Sequence, residues 1–213
     1  MNRKIAIVGA IDPGAHNAAS IHVFSLARSW AKKGNKVNLF TLRTGNRTWS
    51  PENLQAIEHH VGFKSKWLCL PNALLGILLI PILLKYIIKE NPDIIYIRSN
   101  LASFITVVIL RLFRQRVITE HNGWFKDEVL LFKKSIFWAF LSFYSQILDA
   151  RFASQVRVVT PGIKRLLVNS GIKEKKIFIQ GNGTDVEQIN IIPKSKARKK
   201  LNLSLEKKYL GFV

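Results

Sequence analysis

Asp93-Ile-Ile-Tyr-Ile-Arg98, Leu101-Ala-Ser-Phe-Ile-Thr-Val-Val-Ile-Leu-Arg-Leu-Phe113 and Arg116-Val-Ile-Thr-Glu120 follow one another with only short breaks between them. The first and third are apolar runs of strand length, and the middle one has the length of a helix. Strand, helix and strand in that order predict a parallel pair with the helix laid across it. The same alternation extends outward in both directions. Lys4–Gly9 reads as a buried strand. Ala18–Lys33 reads as a helix with Ile21, Phe24, Leu26 and Trp30 among its apolar positions, ended by Gly34-Asn35. Lys36–Thr41 is a second strand, Ile57–Val61 a short third, and Pro71–Glu90 a helix by length despite Pro81. Lys126–Ala150 predicts one long helix or two shorter ones. Val156–Thr160 follows as a strand, Pro161–Asn169 as a helix closed by Gly171, and Lys176–Gln180 as a strand. The fold class expected is therefore α/β, a parallel sheet with helices on both faces. Chemistry in such sheets gathers at the carboxyl ends of the strands.

Composition narrows the partners. The chain has 213 residues, 48% of them apolar, enough for a substantial core. Thirty-three Lys and Arg stand against 13 Asp and Glu, a net charge of +20, which calls for an anionic partner such as a phosphorylated ligand or an acidic membrane surface. The single Cys69 excludes an internal disulfide and suits a reducing cytoplasm. Ile5–Ile11 is too short, and leads into too polar a loop, for a secretory signal. Ala73–Ile88 holds Pro81 and Lys85 and falls short of the roughly 20 apolar residues that span a bilayer.

Three loops stand at strand ends. Gly9-Ala-Ile-Asp-Pro-Gly-Ala-His-Asn-Ala-Ala-Ser20 precedes a helix, where free backbone N–H groups can meet an anion. It does not match a dinucleotide fingerprint, and an ordinary capped connection is the competing reading. Thr119-Glu-His-Asn-Gly-Trp124 places His121 just after a strand, as a base or as a hydrogen-bonding group for a hydroxyl or phosphate, with Gly123 allowing a ligand to come close. His121 could equally hold the Asn122-Gly123 turn together. Arg98 could pair with a phosphate or with Glu120. The histidines show no metal-ligand spacing.

Ala73–Ile88 and Val129–Tyr144 combine Leu, Ile, Phe and Trp with interspersed lysines, a pattern suited to the headgroup region of a membrane or to the core beside the sheet. Lys194–Lys200 could bind nucleic acid. No recognition motif, aromatic row or zinc set accompanies it, so it reads as the start of an interdomain helix, and nucleic acid is the least favoured partner.

In this order the segments resemble the N-terminal half of family 4 retaining glycosyltransferases, whose fold is called GT-B. The resemblance rests on the Lys4–Gly9 strand and loop, His22–Val37 with its Gly34-Asn-Lys-Val turn, Pro92-Asp-Ile-Ile-Tyr96 and Val117-Ile-Thr-Glu-His121. It rests further on Val158-Val-Thr-Pro-Gly-Ile-Lys164 and Gly181-Asn-Gly-Thr-Asp185. It implies a Rossmann-like acceptor-side domain over 1–190. Residues 191–213 would then be an interdomain linker, with Tyr209–Val213 as the first strand of a missing C-terminal domain. That absent domain would grip the nucleotide-sugar donor through two glutamates, so this chain alone would not transfer sugar. The resemblance further implies that His121 lies near the reacting sugar. Gly14, Asn17 and Ala18 would lie near the donor phosphates, with Asn17-Ala18 in the place of the family's Gly-Gly pair, a departure from its pattern. Arg98, Asn122, Gly123, Asn182, Gly183 and Asp185 would lie in the cleft. No cofactor or essential metal is implied, and the acceptor would be a polysaccharide or lipid-linked sugar. The alternative is a non-catalytic basic module that binds a membrane or a partner.

Overall fold

The computed structural model describes residues 2–11, 18–43, 57–64, 76–131, 135–183 and 191–210. Strands β1 (Lys4–Gly9), β2 (Lys36–Arg43), β3 (Ile57–Lys64), β4 (Ile94–Arg98), β5 (Val117–His121), β6 (Gln155–Val158) and β7 (Ile177–Ile179) form one sheet. Among the described residues its order is β3-β2-β1-β4-β5-β6-β7, and every pairing is parallel. The chain leaves β1 towards β2 on one side and later returns to β4 on the other. The gap between the loops after β1 and β4 is therefore the switch point where such sheets take ligands.

Side chains alternate across each strand, and both faces are covered. Ile5, Ile7, Val37, Leu39 and Tyr96 pack with Val23, Phe24, Ala27 and Ala31 of helix α1 (Ala18–Lys32). On the other face Ala6, Val8, Phe40, Ile95 and Ile97 meet Leu83 and Ile87 of α2 (Ile80–Glu90). The same face meets Val107 and Leu110 of α3 (Ser103–Leu112) and Leu167 of α6 (Pro161–Asn169). Helices α4 (Phe125–Leu131) and α5 (Ile136–Phe152) lie between β5 and β6 in the chain. A sheet buried on both faces explains why its strands read as nearly continuous apolar runs.

Of the two readings of Lys126–Ala150, the structure has two helices, and Ser135 caps the second by accepting from the Trp138 N–H at 3.5 Å. The local differences from expectation have simple causes. Helix α2 starts later than Pro71, behind a 3-10 turn at Gly76–Leu79, and carries Pro81 in its first turn, where a missing N–H leaves no bond unmade. Helix α1 turns Ile21 outward and buries small Ala27 and Ala31 instead. Gly34 and Gly171 end α1 and α6 with positive φ of 80° and 86°. A Cβ at position 171 would meet no atom within 4 Å, so Gly171→Ala should cost only the left-handed backbone penalty, about 1 kcal/mol, read as a lowered urea midpoint.

Met1–Asn182 forms one compact unit and Gly183–Val213 another. The second holds the short helix α7 (Lys194–Lys200), and Arg198 stacks 5.5 Å from the Tyr209 ring centroid. Tyr209 and Leu210 lie outside regular structure; 211–213, the rest of the expected strand, lie outside the described residues.

Candidate functional site

The carboxyl ends of β4, β5 and β6 carry a charged row on the face that α1 covers. Arg98 stands in register with Glu120, and Glu120 with Arg157. Neighbouring strands bring such residues side by side, so the sheet itself sets a carboxylate between two guanidinium groups. Arg98 Nη1 lies 3.2 Å from Glu120 Oε1, and Arg157 Nη1 lies 3.0 Å from Oε2. Helix α1 brings His22, whose Nε2 sits 2.9 Å from Oε1. Tyr96 donates its hydroxyl to Oε2 at 2.5 Å and accepts from Arg157 Nη1 at 2.8 Å. The amide of Asn122 also donates to Oε1. Burial alone would push the Glu120 carboxyl up. The donors from His22, Tyr96 and Asn122 overcome it and hold the group down at about 2. Tyr96, buried beside that carboxylate, is pushed far above the ordinary phenol range.

Arg157 also reaches out of the sheet. Its Nε donates to the Gln180 carbonyl at 3.0 Å, and Nη2 donates to the Gly181 carbonyl at 2.9 Å and Asn182 Oδ1 at 3.1 Å. A planar guanidinium can make this fork; a lysine cannot. One buried side chain thus ties Glu120 to the turn that leaves β7.

His121 points to the other face of the sheet, against α5. It is fully buried. Gln146 Nε2 donates to its Nδ1 at 3.2 Å, and its Nε2 meets Thr119 Oγ1 at 3.3 Å. Burial holds the ring down at about 3, outweighing the pull of Glu120, so it is neutral at physiological pH. The expected base with a pKa near neutrality is therefore not what β5 presents: the imidazole is sealed among protein groups. Gln146 goes on to donate to the Gly123 carbonyl at 2.8 Å and to accept from Phe125 N–H at 3.0 Å. Together His121 and Gln146 pin the turn between β5 and α4.

The remaining expected residues divide. Arg98 makes the ion pair with Glu120 and also lines a crevice at the switch point, with Ala10, Gly76, Asn100 and Ser103. The crevice has room for little more than a water molecule. A Cβ at Gly123 would run into the carboxylate of Glu128, the far end of an exposed side chain. Among the described residues nothing hydrogen-bonds the buried Oδ1 of Asn122. Asn182 is held by Arg157, whereas Gly183 is exposed and open around its Cα. Ala18 is exposed as the first residue of α1. Gly14, Asn17 and Asp185 lie outside the described residues.

Arg157, Tyr96, His22 and Gln146 did not emerge from the sequence as site residues. Arg157 alone left a signal there: a charge in the middle of Val156-Arg-Val-Val-Thr160. What the row can do is electrostatic. Two guanidinium groups facing one carboxylate leave the strand ends with a positive excess, suited to an anionic ligand.

The family model for Glycosyltransferase Family 4 matches residues 19–188. No curated protein matches the chain. Among solved structures, sucrose-phosphate synthase from Thermosynechococcus elongatus superposes with a TM-score of 0.70 at 15% identity, covering 96% of this chain and 54% of that one. Anabaena HepE, solved in complex with UDP-glucose, gives 0.62 at 15% identity, with 93% and 50% covered. UDP-GlcNAc 2-epimerase from Methanocaldococcus jannaschii gives 0.56 at 16% identity, with 84% and 45% covered. The chain thus spans about half the length of each. At such identities the likeness establishes the fold, the Rossmann-like half of a GT-B arrangement.

Proposed function

Because the chain belongs to glycosyltransferase family 4, we propose that it is the acceptor-side half of a retaining hexosyltransferase. The reaction moves a sugar from a nucleotide-sugar donor to a polysaccharide or lipid-linked acceptor. The observation that carries this reading is the family match over residues 19–188. A solved neighbour that holds UDP-glucose supports the donor class. Since the chain covers about half of each solved structure, we assign the donor grip to a second α/β domain, without which the chain is inactive. No metal is needed in this scheme, as the family resemblance implies. The enzyme works in the cytoplasm at the inner face of the membrane, where a lipid-linked acceptor is presented.

In this reading Gly14, Asn17 and Ala18 face the donor phosphates. Arg98, Asn122, Gly123, Asn182, Gly183 and Asp185 shape the acceptor side. His121 is a positioning residue: with Gln146 it fixes the turn that carries Asn122 and Gly123 to the cleft. When the chain is paired with a donor-binding domain, His121→Ala should lower kcat for sugar transfer by about 100-fold through displacement of that turn. His121→Gln, which keeps a donor and an acceptor, should recover part of it. Transfer at wild-type rates in the alanine variant would remove His121 from the mechanism.

A further inference from the structure

Helix α5 is built inside out. Its buried residues are small or polar: Ala139, Ser142, Ser145, Gln146, Asp149 and Ala150. Its bulky apolar residues face outward instead, with Phe137 67% and Tyr144 58% exposed, and Ile136, Phe140 and Leu141 exposed beside them. Leu131, at the end of α4, adds to the same run at 78% exposure. The inward face has its own reason. Gln146 serves His121 and the β5–α4 turn, and Asp149 accepts from Ser103 of α3 at 2.8 Å, while small neighbours let α5 come close to α3. Nothing in that packing requires aromatics on the far side, and leaving such a cluster in water is unfavourable.

We propose that this outward face of α5, with the end of α4, docks on an anionic lipid bilayer. The face mixes Phe and Tyr with Leu and Ile, a composition that settles at the headgroup boundary. Lys126 lies 5.6 Å over the Phe140 ring, which sets a cation at the rim of the patch. The only acidic residue of α5, Asp149, is fully buried, so α5 turns no carboxylate towards the surface; the exposed Asp127 and Glu128 belong to the first turn of α4, at the opposite end from Leu131. The chain as a whole carries +20, which draws it to negative headgroups before the aromatics insert. Among the described residues no helix is long and apolar enough to cross a membrane, so the contact lies in the plane of the interface. This names the surface behind the membrane-side location proposed above, and it stands on the geometry of α5 whether or not the chain transfers sugar.

The test is co-sedimentation of the chain with vesicles of phosphatidylglycerol and phosphatidylcholine at low salt, for the wild type and for F137S/F140S. Both positions are exposed, so circular dichroism of the variant should match the wild type. The wild type should bind the anionic vesicles, bind pure phosphatidylcholine far more weakly, and lose about tenfold or more in affinity on the double substitution. Three outcomes overturn the proposal. The wild type could fail to bind; the variant could bind as well as the wild type, which would leave charge elsewhere as the cause; or a lipid-free dimer could dissociate on the double substitution, which would make a second copy the occupant. Sugar transfer to a soluble acceptor reads the enzymatic proposal separately, so either claim can fail without the other.

Discussion

Arg157→Met should destabilise the domain by about 3–5 kcal/mol, seen as a large drop in the urea midpoint. The substitution keeps most of the apolar stem and removes the guanidinium from a buried network. Glu120, fully buried, would lose its closest guanidinium partner, and the Gln180 and Gly181 carbonyls would lose their donors. Domains of this size carry only about 5–15 kcal/mol in all, so the loss is a large share. If the cost comes from an uncompensated carboxylate, adding Glu120→Gln to Arg157→Met should recover much of it, and the double-mutant cycle should show strong coupling. Additive effects would mean that the two groups do not form one unit. Arg157→Lys separates the charge from the fork. It should retain part of the stability yet speed exchange of the Gln180 amide, which bonds the Val158 carbonyl at 2.9 Å, because an ammonium cannot reach both carbonyls and Asn182 Oδ1. That exchange reports directly on whether the sheet holds the β7 exit turn.

The second large effect is a pair of opposed pH dependences. Burial raises the Asp149 carboxyl from 3.8 to about 7. Between those values the folded state holds a proton that the unfolded chain has released, so stability falls as pH rises. Burial lowers the His121 ring from 6.5 to about 3. Between those values the unfolded chain holds the extra proton, so stability rises with pH. Each contribution is on the order of 4 kcal/mol when fully developed, and the two windows overlap from about pH 4 to 6.5. The wild type should therefore be nearly flat there, and single substitutions should expose the slopes. Asp149→Asn leaves His121, and its urea midpoint should climb from pH 4 to 6.5. His121→Gln leaves Asp149, and its midpoint should fall over the same range. Equal flat profiles in both variants would show that neither group is buried as described. Below that range Glu120, held down at about 2 from 4.5, stabilises the fold until pH falls through its own pKa, which makes for acid lability in all three proteins.

The sheet was legible because a strand buried on both faces must be apolar throughout, and Asp93–Ile97 and Val117–Ile118 show that in their letters alone. Helix ends were legible where the left-handed backbone favours glycine, as at Gly34 and Gly171. The face of a helix was less so: Ile21 looks like core, yet the close approach of α1 favours Ala27 and Ala31. For Val129–Tyr144 the letters left core and membrane surface both open, since they do not say that the small and polar residues of α5 take the inside. At the site, Arg98 and Glu120 were adjacent candidates because one residue at each strand end bears charge. Their joint partners could not be read, because the register that sets Glu120 beside Arg157 and the helix that lowers His22 onto it join residues far apart in the chain. His121 was visible as a histidine after a strand. Its protonation depends on whether α5 closes over it, and only the fold settles that.

Labelled sugar can be followed from a panel of nucleotide sugars into lipid-linked and polysaccharide acceptors, with the chain alone and with a donor-binding α/β domain joined to it. No transfer is expected from the chain alone, and transfer from one nucleotide sugar, with retention of anomeric configuration, once the second domain is present. Full transfer by the chain alone, or inversion at the anomeric carbon, would contradict the proposed function.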